Sequence, residues 1–84
     1  MTEIQKITLR DILTTAGLTP RQVEDVFLLL RFKPERVQMA FYYRACGNTY
    51  EEIGGFMDIP ERTAHNYVNI NCSDVGQYIK NLPE

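Results

Sequence analysis

The hydrophobic positions of this chain recur with the period of an α-helix, and no segment shows the sustained alternation of a β-strand. Near the middle of the first half, the positions at i, i+3, i+4 and i+7 are Val23, Val26, Phe27 and Leu30. Such spacing lines one face of a helix with apolar side chains. The pattern therefore predicts an all-α fold, a compact single domain over residues 1–84 with five or six helices.

Residue types that favour helix starts and helix ends predict three helices within residues 8–47. Residues 8–11 have a capping pattern, and Gly17 is the expected end of that helix. Thr19 stands before a proline and three positions before Gln22, an arrangement typical of a helix start. Residues 34–47 predict the third helix, beginning at its proline and ending at its glycine.

Residues 49–70 predict two short helices joined by a turn. Thr49 and Glu52 have the spacing of a capping box, as Thr19 and Gln22 do, and they open a helix through about Met57. Residues 58–60 then break that helix, because a residue before proline is pushed out of the α region. The next helix covers residues 60–69, and the side chains expected to face the core are Ala64, Tyr67, Val68 and Asn71.

The opposite face of that helix carries side chains suited to hydrogen bonding with DNA bases. They are Arg62, His65, Asn66 and Asn69. Arginine pairs with guanine and asparagine with adenine in the major groove. We therefore expect a helix-turn-helix that binds double-stranded DNA through these four residues. The residues expected to contact phosphates are Thr49, Tyr50, Thr63, Arg36 and Arg44.

A last helix is predicted over residues 73–82, with Ser73 as its cap and Pro83 as its stop. Its apolar positions are Val75, Tyr78, Ile79 and Leu82. We expect this face to join two copies of the chain in a homodimer, because a lone helix-turn-helix covers little DNA. The alternative dimer surface is the N-terminal helix, with Ile4, Ile7 and Leu9.

Residues 58–68, DIPERTAHNYV, resemble the corresponding segment of sigma-factor region 4 and of LuxR-type DNA-binding domains. Asp58 stands where those families commonly have glycine, and Gly54 stands where a small alanine is usual. Residues 18–71 also resemble TrfB-type plasmid transcriptional repressors and, more loosely, PapB-type fimbrial regulators. The resemblance implies a dimeric repressor on a palindromic operator, autoregulatory and of plasmid or phage type.

The net charge of −2 weighs against DNA binding, because phosphate neutralisation supplies most of the affinity of typical nucleic-acid-binding domains. Four cations in residues 31–44 outnumber a single acid there, and they are Arg31, Lys33, Arg36 and Arg44. If this segment lies beside the second helix of the pair, the DNA-facing side is positive. The alternative is a helical protein-interaction module that binds RNA polymerase, a sigma factor or another regulator. The acids that favour it are Glu24, Asp25, Glu51, Glu52 and Glu61.

Catalytic chemistry has little support in the sequence. His65 is the only histidine, and Cys46 and Cys72 lack the spacing of a metal site or redox motif. We expect no enzymatic activity, no cofactor, no bound metal and two free thiols. No apolar run approaches the roughly 20 residues that cross a bilayer, and the N-terminus lacks a signal-peptide core. These features predict a cytoplasmic protein without a membrane partner.

Overall fold

The computed structural model describes residues 1–82, which form six α-helices and no strand. The helices are α1 (Glu3–Thr15), α2 (Pro20–Arg31), α3 (Glu35–Ala45), α4 (Tyr50–Met57), α5 (Glu61–Asn69) and α6 (Ser73–Lys80). This architecture confirms the all-α prediction. None of these helices is both long enough and apolar enough to cross a membrane. The stop expected at Pro83 lies outside the described residues.

The predicted capping boxes begin α2 and α4. At α4 the Thr49 N–H donates to Glu52 Oε1 at 2.8 Å, and the Glu52 N–H donates to Thr49 Oγ1 at 3.1 Å. Thr19 and Gln22 make the same reciprocal pair at the start of α2. Each box gives side-chain acceptors to two backbone N–H groups that a helix start would otherwise leave unpaired.

Two predicted helix starts are wrong. The first helix begins at Glu3 and not near Thr8, because Thr2 and Gln5 form a capping box nearer the N-terminus. Thr8 lies inside α1, where its hydroxyl donates to the Ile4 carbonyl at 2.9 Å. At the other end, Ser73 is the first residue of α6 and makes no capping bond. The expected end of α1 at Gly17 is confirmed, since this glycine has a φ of 104°.

Two hydrophobic clusters hold the helices together. The first core joins α1, α2, α3 and α6, and its buried members include Leu9, Val26, Leu30 and Val75. The second core is smaller and joins α3, α4 and α5 through Ala40, Ile53 and Ala64. Tyr67 packs against both clusters. The α4–α5 pair is thereby supported by α3 on one side and is continuous with the larger core.

The apolar face of α6 belongs to the first core, which corrects its assignment as a dimer surface. Val75 has no exposed surface, so it cannot contact a second copy of the chain. Tyr78, Ile79 and Leu82 are partly buried against the same core, and the Tyr78 hydroxyl donates to Asp25 of α2 at 2.7 Å. The predicted stripe is real, but it packs against α2 within one chain.

The two cysteines have opposite environments, which predicts different reactivity. Both thiols are free; Cys46 is exposed and Cys72 is buried. Burial raises the pKa of Cys72 from 9.0 to about 11, and the thiolate is the reactive form. We expect one thiol per folded chain to react quickly with a maleimide at pH 8, and two in denaturant, as counted by intact mass. The Cys46→Ser variant should be unreactive until unfolded; rapid labelling of its folded form would contradict this environment for Cys72.

Candidate functional site

The α4–α5 pair is joined by a tight turn over residues 58–60, in which Asp58 has the left-handed conformation. Asp58 has φ 56° and ψ 50°, a conformation that asparagine and aspartate tolerate better than most residues. The N–H groups of Asp58 and Ile59 both donate to the Gly54 carbonyl, and these two bonds end α4. Pro60 is extended and immediately precedes α5. The predicted break between the two helices is therefore confirmed.

Gly54 is the point of closest approach between α4 and the chain leading into α5. A Cβ atom at this position would lie 2.7 Å from the Ile59 carbonyl oxygen and 3.4 Å from the Glu61 nitrogen. Both neighbours are backbone atoms, which cannot rotate aside as a side chain can. An alanine at position 54 would therefore not fit without a shift of the turn.

The buried side of α5 is largely as predicted. Ala64 is fully buried, and Tyr67 and Val68 are half-buried in the second core. Asn71 is exposed, so its assignment to the core is wrong. The reason is that α5 ends at Asn69: the N–H groups of residues 70 and 71 both bond to the Asn66 carbonyl, and the helical phase stops there.

The opposite side of α5 faces solvent. Arg62, His65 and Asn69 are exposed, and Asn66 is half-buried. Arg62 makes no ion pair or side-chain hydrogen bond within residues 1–82. Its five N–H donors are thus available to an external acceptor.

Four polar side chains from three helices meet at the start of α4, and we call them the Tyr50 cluster: Arg44, Tyr50, His65 and Asn69. The Asn69 Nδ2 atom donates to the Tyr50 hydroxyl oxygen at 2.9 Å and to the His65 carbonyl at 3.0 Å. The His65 and Tyr50 ring centroids are 4.9 Å apart in an edge-to-face arrangement. The Arg44 guanidinium lies 4.5 Å from the Tyr50 ring centroid. The structure thus brings two expected base-contacting residues together with two expected phosphate-contacting residues.

The remaining expected phosphate contacts are spread around the α4–α5 pair. Thr49 is exposed, but its hydroxyl accepts the capping bond of α4. Thr63 is half-buried on α5. Arg36 donates to the Met57 carbonyl at 3.4 Å, where a cation stabilises the end of α4. Arg44 also donates to the Asn48 carbonyl at 2.9 Å. Each arginine still has further N–H groups for a phosphate.

From the sequence, the cations of residues 31–44 could form one positive surface beside α5. In the structure they do not, because they lie on different sides of the molecule. Lys33 pairs with Asp74 of α6 at 3.0 Å. Arg31 lines a groove between α1 and α2, with its guanidinium 5.5 Å from the centroid of Phe32. Only Arg36 and Arg44 contact the α4–α5 region. The split follows from helical phase, because residues 31 and 33 end one helix and precede the next on a different side of the molecule.

The Tyr50 cluster could not be found by helical spacing. Tyr50 and Asn69 are 19 residues apart and lie on different helices, so only the packing of α5 against α4 brings them together. The surface therefore combines an exposed arginine, an amide and a tyrosine-centred cluster, all polar groups that can bond to a nucleic acid.

Comparison of the chain with protein-family models, curated proteins and solved structures finds no match.

Proposed function

We propose that the chain is a sequence-specific DNA-binding transcriptional regulator in which α4 and α5 act as a helix-turn-helix. The observation that carries the proposal is the two-sided character of α5. Ala64 is fully buried on one side, while Arg62, His65 and Asn69 are exposed on the other. A nine-residue helix held by a buried face and showing hydrogen-bonding side chains is suited to the major groove.

The chemistry of this side of α5 sets the expected contacts. The Arg62 guanidinium can bond to both acceptors of a guanine, and the Asn66 amide can bond to adenine. Each such pair discriminates against a wrong base by about 1–3 kcal/mol. Arg36 and Arg44 flank α4 and supply attraction to phosphates that does not depend on sequence.

We propose a homodimer, since one α5 covers a short half-site and a second copy would double the contacts. With the face of α6 buried, the alternative surface on α1 is the better supported one. Ile4 is 76% exposed and Ile7 is 58% exposed, whereas Leu9 belongs to the first core. A dimeric, autoregulatory repressor of plasmid or phage type, acting in the cytoplasm, is the form of regulator that we propose.

Fluorescence anisotropy tests the proposal directly. A duplex from immediately upstream of the gene for this chain is compared with a scrambled duplex of equal composition, at two salt concentrations. We expect the upstream duplex to bind at least tenfold more tightly. With Arg36 and Arg44 as the cations that contact phosphates, the slope of log K against log salt should be about −1.8 per chain and roughly twice that for a dimer.

A second candidate function is supported by one aromatic patch. Phe56 of α4 is 59% exposed, and its ring centroid lies 5.3 Å from that of Tyr43 on α3. Exposed aromatic residues are enriched in protein interfaces, and the nearby acids Glu51 and Glu52 are exposed as well. Absence of binding to either duplex at low salt would overturn the DNA proposal and favour a module that binds RNA polymerase, a sigma factor or another regulator.

A further inference from the structure

Asn69 stands out on the exposed side of α5 because its amide nitrogen already has two partners within the chain. Its Nδ2 atom donates to the Tyr50 hydroxyl oxygen at 2.9 Å and to the His65 carbonyl at 3.0 Å. We infer that Asn69 is a positioning residue, which aims the Tyr50 hydroxyl at a DNA phosphate, and not a base-contacting residue. This inference rests on the proposed DNA-binding function.

Donor capacity decides between the two roles. An asparagine amide has two N–H donors, and both donors of Asn69 have acceptors in the folded chain. To bind adenine in the bidentate manner, an asparagine must donate one N–H to N7 and accept from N6. Asn69 could do so only by breaking one of its internal bonds. Asn66 makes no side-chain hydrogen bond within residues 1–82, so its amide is free for that geometry.

The same bond leaves the Tyr50 hydroxyl with a proton to donate. A tyrosine hydroxyl has one donor and can also accept. Since its oxygen accepts from Asn69, the hydroxyl proton remains for an acceptor outside the cluster. A phosphate oxygen is an acceptor without a donor of its own, and it suits this arrangement.

The ring of Tyr50 is held on two sides, which fixes the direction of its hydroxyl. The Arg44 guanidinium lies 4.5 Å from the ring centroid, within the range of a cation–π contact. The His65 ring meets it edge to face, with 4.9 Å between centroids. An anion that accepts from the Tyr50 hydroxyl would also approach the positive charge of Arg44. The Tyr50 cluster thus has the composition of a phosphate-binding site, formed before DNA arrives.

The exposed side of α5 then divides along its length. Arg62 and Asn66 are left for base contacts. Asn69, the last residue of α5, supports the phosphate contact made by α4. Changes at these two sets of positions should therefore have different consequences: loss of base preference in one case, and uniform loss of affinity in the other.

Anisotropy with the preferred duplex and a series of its single-base-pair variants tests this division. Asn69→Ala is expected to weaken binding to every duplex by about tenfold, with the order of base preference unchanged. Tyr50→Phe removes only the hydroxyl and should have the same uniform effect. The double variant should bind no more weakly than Tyr50→Phe alone, because Asn69 acts through the hydroxyl.

Asn66→Ala is the matched control, with the same substitution one turn earlier in α5. It should flatten the preference at one base pair. Loss of preference at one base pair in Asn69→Ala, or additive losses in the double variant, would overturn the positioning role while leaving DNA binding intact. Failure of the unaltered chain to bind any duplex would instead overturn the proposed function, and this inference with it. Thermal melts of each variant confirm that the folded chain is being compared.

Discussion

Replacement of Gly54 by alanine should lower the free energy of unfolding by about 1–3 kcal/mol, although alanine is the better helix former. The added Cβ would lie 2.7 Å from the Ile59 carbonyl oxygen, and that carbonyl is part of the turn that leads to Pro60. Relief of the clash requires α4 and α5 to move apart, which would loosen the second core around Ile53 and Ala64. Urea denaturation followed by circular dichroism measures the effect.

Gly55→Ala is the control for Gly54→Ala, because it makes the same change at the next residue of the same helix. Apart from the adjacent residues and the backbone of α4 itself, nothing lies within 4 Å of a Cβ built at Gly55. Helix propensity alone should then raise the free energy of unfolding by about 1 kcal/mol. The two variants should therefore change stability in opposite directions. A stabilising effect of both would contradict the close backbone contact at Gly54.

Arg62→Ala should remove a base preference without unfolding the chain. Arg62 is exposed on α5 and has no ion pair within residues 1–82, so its loss leaves the cores intact. A guanidinium paired with guanine contributes about 1–3 kcal/mol of discrimination, so the variant should lose roughly 5- to 150-fold of its preference at one base pair. Anisotropy with the preferred duplex and its single-base-pair variants provides the measurement.

Arg31→Ala removes the same charge from a different surface and serves as the comparison. Arg31 is also exposed, but it lies at the groove between α1 and α2, apart from the α4–α5 pair. Removal of the Arg31 side chain should change the affinity for every duplex by the same small factor, mainly through long-range electrostatics. Equal effects of the two substitutions on base preference would contradict the role given to α5.

Helix boundaries were predictable where a local pattern determines them. The capping boxes at Thr19 and Thr49 need only residues three positions apart, so the sequence identifies them without knowledge of the fold. The same pattern at Thr2 and Gln5 begins α1, and the sequence carries that signal as well. The capping pattern of residues 8–11 places the predicted start too far downstream. Ser73 shows the reverse error, since a residue type favoured at caps lies inside the helix.

The sequence predicts that a helix has an apolar face more readily than it predicts which element packs against that face. The stripe on α6 follows from helical spacing, but its burial against α2 depends on how six helices pack. The same limit applies to the site. Exposure of Arg62 and His65 follows from the phase of α5, whereas the bond from Asn69 to Tyr50 joins residues 19 positions apart on different helices.

All of the proposed contacts require that the α4–α5 pair is the DNA-binding surface. An NMR titration of the isotope-labelled chain with its preferred duplex tests this claim residue by residue. We expect the largest backbone amide shifts in residues 49–69, centred on Arg62 and the Tyr50 cluster, with little change in α2 and α6. Shifts concentrated on α1 and α2, or amide spectra unchanged by excess duplex at low salt, would contradict it.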